Sequence, residues 1–373
     1  MRNPVWLSAL LFATIFTATA ASAADSASTQ SFSWSGLVDV YYSKNFNGPS
    51  NQLNQFRNFD IYENQFSLNL AKLTLQETAK PVGFRLDLGF GTANDVVQGL
   101  LNPLTGATSP MTSTLDLVEQ AYIETVLPVG SGLTVDVGKF VTLMGNEVIE
   151  SNGNWNYSRS FSFAYAIPYY HEGIRATYSF TGNFTAAVYL VNDWNSVVSI
   201  NRSKTVALGL TYSPTSTTTL VVNGMSGFEQ PLGAEYGKTN LAEIILSQSL
   251  DDNLSLAADG VFGEERIGGV LGTWKGIALY AKYNLTSKSD LALRGEVYYD
   301  PLGYTTGLTI PRATLKEVTL TYEYRPWSPL IVRIEGRDDF ANGNAFLSAS
   351  SISATDFTRT SQPTILVGLI STF

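Results

Sequence analysis

Along this chain, apolar and polar residues alternate one for one in stretch after stretch. In 291–300, Leu291, Leu293, Gly295, Val297 and Tyr299 share one parity, and Ala292, Arg294, Glu296, Tyr298 and Asp300 share the other. In 330–337, Leu330, Val332 and Ile334 oppose Arg333, Glu335 and Arg337; in 83–91, Phe84, Leu86, Leu88 and Phe90 oppose Arg85 and Asp87. The end of the chain repeats the pattern, with Ile365, Val367, Leu369 and Phe373 in one row. Successive side chains of a strand point to opposite faces, so each stretch predicts a strand with one apolar and one polar face.

A soluble sandwich alternates in the same way. Length separates the two cases: the alternating stretches run mostly 9–12 residues, whereas soluble strands average about 5–6 residues and a tilted membrane strand needs roughly 9–11. Connections also switch between short turns and long segments, the long ones being 44–64, 93–115, 142–169, 227–238, 301–312 and 339–363. The pattern predicts an all-β fold, a transmembrane antiparallel up-and-down β-barrel of about sixteen strands with short periplasmic turns and long external loops. Expected strands include 170–179, 254–265 and 274–285, and the last is 364–373. Aromatic residues near strand ends (Tyr41, Tyr42, Tyr212, Tyr283, Tyr299, Tyr322, Tyr324, Trp327) suit interfacial girdles.

The N-terminus changes the count of mature residues. Arg2 precedes an apolar run, Val5 to Thr17, and Ala21-Ser22-Ala23 fits a small-residue cleavage site. Residues 1–23 therefore read as a signal peptide and 24–373 as one transmembrane barrel domain of a Gram-negative outer membrane. No later stretch has the 18 or more apolar residues of a helical span. With no Cys there is no disulfide or thiolate chemistry. No metal or cofactor site is expected. A net charge of −9 argues against nucleic acid as a partner. Charged residues are 15% of the chain, below the ~25% usual in soluble domains, as suits a protein whose outer surface meets lipid.

If the apolar rows face lipid, the charged rows face a lumen. Arg85, Asp87, Asp136, Arg175, Asp259, Lys282, Arg294, Glu296, Glu317, Glu323, Arg333, Glu335 and Arg337 would then line water, because a cation at mid-membrane on the lipid face costs roughly 2–4 kcal/mol. The same residues also suit pairing across neighbouring strands to stiffen the wall. The segment 141–169 is the longest internal stretch without alternation and carries Trp155, Tyr157, Phe161, Phe163 and Tyr165. Folded into the barrel, it brings Glu147, Glu150 and Arg159 to a pore constriction; an external lid is the rival arrangement.

Within this region the chain resembles the β-barrel porin-2 (OmpL-like) outer-membrane proteins. The resemblance rests on Gln120-Ala121-Tyr122, Gly138-Lys139-Phe140, Gly145-Asn146-Glu147, Glu150-Ser151, the run from Asn154 to Ser160, and the run from Pro168 to Gly173. It implies an outer-membrane barrel acting as a channel, and it supplies neither a substrate nor functional residues. The terminal Phe373 resembles the signal read by the barrel-assembly machinery.

The expected function is that of a porin, a water-filled channel for passive diffusion of ions and small polar solutes. A net charge of −9 favours cations weakly. Expected partners are outer-membrane lipid, the assembly machinery and the solutes themselves, with a homotrimer left open. Two other classes compete: a non-conducting barrel with a structural or adhesin role, and an outer-membrane lipid hydrolase. The hydrolase would rest on His171, the only histidine. Its parity places it on the lumen side, and no G-x-S-x-G elbow accompanies it, so an enzyme is not expected.

Overall fold

A computed structural model describes residues 32–78, 81–111, 113–230 and 237–373, with the backbone alone at 267. The expected signal peptide, 1–23, lies outside the described residues. Sixteen strands close into one barrel, each antiparallel to its neighbours. They are β1 (Phe32–Asn45), β2 (Gln65–Glu77), β3 (Val82–Phe90), β4 (Val118–Leu127), β5 (Leu133–Val141), β6 (Tyr170–Thr181), β7 (Phe184–Val191), β8 (Thr205–Thr215), β9 (Thr218–Gly227), β10 (Thr239–Ser249), β11 (Leu254–Ile267), β12 (Val270–Thr286), β13 (Ser289–Asp300), β14 (Ala313–Trp327), β15 (Leu330–Ala341) and β16 (Ser361–Thr372). Closure removes the unpaired edges that an open sheet would expose.

The start of β1 and the end of β16 lie at one end of the barrel, the turn end; the long connections lie at the other, the loop end. The seam joins β1 to β16, from Leu37 opposite Thr372 to Asn45 opposite Thr364. Phe373 extends the seam: its N–H donates to the Gly36 carbonyl (3.1 Å) and its carbonyl accepts from the Gly36 N–H (3.0 Å). Its ring covers Gly36, where a Cβ would sit 2.0 Å from the ring, and meets Trp34 edge-on at 5.6 Å.

Alternation sorts the two faces. On β13, Leu293 and Val297 are exposed on the outer wall, and Ala292, Arg294, Glu296 and Tyr298 are buried on the inner one. Tyr42, Tyr212, Tyr283, Tyr299, Tyr322, Tyr324 and Trp327 share the outer face. Tyr41 does not: it is buried inside with its hydroxyl toward the lumen, where Oη accepts from the Tyr62 N–H (2.9 Å) and the ring packs on Tyr157 (5.8 Å). Parity overrides the preference of an aromatic ring for the membrane interface.

Two connections differ from the expectation. β11 and β12 run on to residues 267 and 270, so the gap expected over 266–273 shrinks to Gly268-Gly269. Both glycines have positive φ (55° and 79°), as a tight two-residue hairpin requires. A further long connection, 192–204, lies between β7 and β8.

Candidate functional site: the lumen and the segment inserted in it

The connection between β5 and β6, residues 142–169, folds into the barrel rather than over it. Ser151, Tyr157, Ser158, Phe161 and Ser162 are buried and bond to inner-wall side chains, while Ser160, also buried, bonds to Glu147 within the segment. This irregular segment has no ladder to satisfy its backbone, and a buried N–H without a partner costs roughly 1–3 kcal/mol. Inner-wall carboxylates take that role. Glu335 accepts from the N–H groups of Tyr157 (2.6 Å) and Ser158 (3.0 Å). Glu296 accepts from the N–H groups of Phe161 (2.5 Å) and Ser162 (2.7 Å) and from Ser162 Oγ (2.5 Å). Glu243 accepts from the Gly145 N–H (2.9 Å).

Guanidinium groups serve the carbonyls. Arg333 donates to the carbonyls of Ser151 (2.6 Å), Asn154 (2.6 Å) and Asn156 (3.1 Å). Arg337 donates to the Arg159 carbonyl (2.6 Å), and Arg294 to that of Ser158 (2.6 Å). Behind them the wall pairs with itself: Arg294 Nε with Glu317 (2.7 Å), Arg333 with Glu323 (2.7 Å), Arg337 with Asp339 (2.7 Å). The residues expected to line water on β13 and β15, Arg294, Glu296, Arg333, Glu335 and Arg337, thus face inward but are covered by the segment; Arg294 is 0% exposed. The charges that suit a wet pore equally suit a peptide backbone without partners, and the nearest backbone displaces the water.

The other inward residues divide. Arg85 pairs with Asp87 (3.0 Å), Arg175 with Asp136 (2.6 Å) and Lys282 with Asp290 (3.0 Å); Arg85, Arg175 and Lys282 keep partial exposure, whereas Asp87 and Asp136 are buried. Asp259, also buried, lies 3.4 Å from the Asn146 N–H.

Glu147, Glu150 and Arg159 do not meet in one ring. Glu147 is buried, paired with Arg294 (2.7 Å) and accepting from the Ser160 N–H (2.7 Å) and Oγ (2.6 Å). Arg159 is buried too, donating to the carbonyls of Val148 (3.0 Å), Tyr157 and Ile149 within its own segment. Glu150 alone of the three is partly exposed. It bonds to Lys72, whose ammonium also touches Asp87 (2.9 Å) and Glu119 (2.8 Å). The carboxylates of Asp87, Glu119 and Glu150 lie within 4.8 Å of one another, and Lys72 occupies the position a cation would take among them. Sequence reading missed Lys72 and Glu119. Their signal was the register, which sets Lys72 opposite Gly89 and so beside Asp87 on the inner face.

On its turn-end side the segment borders open space. Three cavities, of about 380, 190 and 180 Å³, open there and share Gly153; Asn152, Asn154 and Trp155 each border at least two of them. One reaches Lys72, Arg85 and Glu150, one reaches Lys282, Arg325 and Glu323, and one reaches Ser247 and Tyr280. On its loop-end side the segment is dry: Phe56 packs on Phe346 (5.9 Å), and Phe59 on Phe163 (5.8 Å) and Tyr169 (5.9 Å). His171 is buried on the inner wall with Nε2 3.1 Å from Thr142 Oγ1, at the root of the segment.

A closed sixteen-strand barrel narrowed by an inserted connection is the architecture of an outer-membrane porin. The chain belongs to the family described as "Putative beta-barrel porin-2, OmpL-like", which matches residues 31–373. No curated protein matches it. Its fold is similar to that of an anion-selective porin from Comamonas acidovorans, at 11% identity and TM-score 0.64, over 92% of this chain and 100% of that one. It is also similar to the outer-membrane channel DcaP of Acinetobacter baumannii (9% identity, TM-score 0.61, 92% and 97% covered). A third similar structure is OprB of Pseudomonas putida (13%, TM-score 0.56, 92% and 94%).

Proposed function

We propose that the barrel conducts ions and small polar solutes by passive diffusion, with the segment 142–169 setting the width of the path. What supports this is the open turn-end vestibule, whose three cavities meet around Asn152–Trp155. In this reading Glu150, with Lys72 and Arg85 beside it, is the part of the expected constriction that meets the solute. Glu147 and Arg159 act behind it by holding the segment in place. A net charge of −9 gives a weak preference for cations, and the inward carboxylate Glu124 on β4 acts in the same direction. Residues 1–23 are removed as a signal peptide, Phe373 serves as the address read by the assembly machinery, and the subunits associate as a homotrimer.

One observation favours a second reading, a non-conducting barrel with a structural role: the aromatic cluster of Phe56, Phe59, Phe161, Phe163 and Phe346 fills the loop-end mouth. Planar-bilayer recording from pure refolded protein decides. Stepwise currents with a small positive cation selectivity are expected; a silent, correctly folded barrel would move the assignment to the structural reading. A hydrolase gains no support from His171, whose Nε2 lies 3.1 Å from Thr142 Oγ1.

A further inference from the structure

Near the loop ends of β12, β13 and β14 the outer wall carries cations that enter no ion pair among the described residues. Lys275 on β12 and Lys316 on β14 are exposed on the lipid-facing parity, and Arg312 stands just before β14. Register sets Lys275 opposite Tyr299 and Lys316 opposite Val297, so the two lysines flank one short stretch of β13 near its loop end. Lys275 Nζ lies 5.4 Å from the centre of the Tyr299 ring, and Arg312 Nε donates to Tyr299 Oη (3.4 Å). Among the described residues, none of the three enters an ion pair. The outward carboxylates nearby are Glu264, which accepts from Asn240 Nδ2 (3.1 Å), and Asp338, opposite Val318.

Below these cations the same wall is dented. A groove of about 960 Å³ runs across it, with Lys316 at one margin. Its floor holds Ala258, Ala281 and Gly295, and its sides Leu256, Leu279 and Leu293. Leu279 pairs with Gly295 and Ala281 with Leu293, so each long side chain stands beside a small one on the next strand. Cations on a lipid-facing wall are tolerated near the headgroups and not at mid-membrane. Their aliphatic stems lie along the apolar wall while the charged heads reach the interface, and Arg matches phosphate oxygens in a bidentate fork.

We propose that this face binds a phosphorylated lipid of the loop-side leaflet, with one acyl chain in the groove and its phosphate held by Lys275, Arg312 and Lys316. Charge complementarity and the apolar groove select the same ligand from its two ends. A free anion would use only the cations, and a neutral lipid only the groove. The site is independent of whether the barrel conducts.

The test is native mass spectrometry of the full barrel released from micelles, after equilibration with lipid A, with phosphatidylcholine or with inorganic phosphate. Folding of each variant is checked by heat-modifiable gel mobility. Lipid A is expected to remain bound to the wild type in preference to phosphatidylcholine. Retention should fall at least tenfold in the triple variant Lys275→Ala, Arg312→Ala, Lys316→Ala, and several-fold in Gly295→Leu, which fills the groove and keeps the cations. Equal retention of the two lipids, undiminished retention in the folded triple variant, or displacement by inorganic phosphate at equal concentration would each overturn the proposal. So would efficient disulfide cross-linking between copies through Leu293→Cys, which would seat a second copy in the groove instead.

Discussion

On β13 and β15 the inner wall presents Arg294, Glu296, Arg333, Glu335 and Arg337, and every one of them bonds to the segment 142–169. On β7 and β8 the same inner rows hold Ala187, Tyr189, Ala207, Gly209 and Thr211, without charge, and the segment reaches them with Leu143 at Gly209. A Cβ on Gly209 would approach Leu143 Cδ1 to 2.9 Å. The nearest polar hold on that side is on β9, where Asn223 Nδ2 donates to the Leu143 carbonyl (3.0 Å). One half of the barrel therefore grips the backbone with charge, and the other rests against a side chain. A charged inner row is as good a seat for an irregular peptide as it is a wall for water, and which it becomes depends on what chain is close enough to dock.

Substitutions of unequal weight test that contrast. Arg294→Met should be the most damaging. It leaves Glu147 buried without its cation and Glu317 with only Arg337, 3.7 Å away, a loss of roughly 3–5 kcal/mol for a broken buried pair, read as a lower denaturant midpoint in micelles. Glu335→Ala comes next: it strands the N–H groups of Tyr157 and Ser158, at about 1–3 kcal/mol each. Tryptophan fluorescence at Trp155 should report the local loosening. On the gentler half, Asn223→Ala removes two bonds, one to the Leu143 carbonyl and one to Glu243 (2.8 Å), and should cost about 1.5–3 kcal/mol. If Asn223→Ala cost as much as Arg294→Met, the two halves would hold the segment equally and the contrast would be gone.

The smallest effect is a pH response in the loops above the apolar half. Glu229 accepts from the Trp194 N–H (2.7 Å) and from Thr205 Oγ1. Burial, opposed by these bonds and reinforced by Asp193 and Glu265, pushes its carboxyl up to about 7. An unfolded Glu titrates near 4.3, so the folded loop binds the proton more tightly. Its stability should fall as pH rises from about 4.3 through about 7 and level off above that. Protection of the Trp194 amide, corrected for intrinsic exchange, should drop several-fold between pH 5 and 8. Glu229→Gln should flatten the response; an unchanged profile in that variant would assign it to another group.

Much of this was readable in the chain, because a period of two is local. Leu293 against Arg294 already assigns a face, and sixteen such runs with long and short joints describe a barrel. The segment 142–169 also announced itself, as a stretch with many rings and no alternation. Its seat did not, because Glu296 meets Ser162 and Arg333 meets Asn154 across more than a hundred residues of chain. Nothing local distinguishes an arginine facing water from one facing a carbonyl. Tyr41 misled for the opposite reason: residue type suggested the girdle, and parity with Asp39 and Ser43 carried the answer. The hairpin at Gly268-Gly269 was obscured because Glu264 and Arg266 break the outward apolar row near the end of β11.

The central claim is that inner-wall carboxylates hold the backbone of the inserted segment. Hydrogen exchange of the native barrel in micelles measures this directly at the amides of Tyr157, Ser158, Phe161 and Ser162. Bound to Glu335 and Glu296, these four should exchange as slowly as the ladder amides of β13 and β15. Glu335→Ala should release the first two and leave the second two protected. Exchange of all four at the rate of an exposed loop in the folded wild-type barrel would contradict the account.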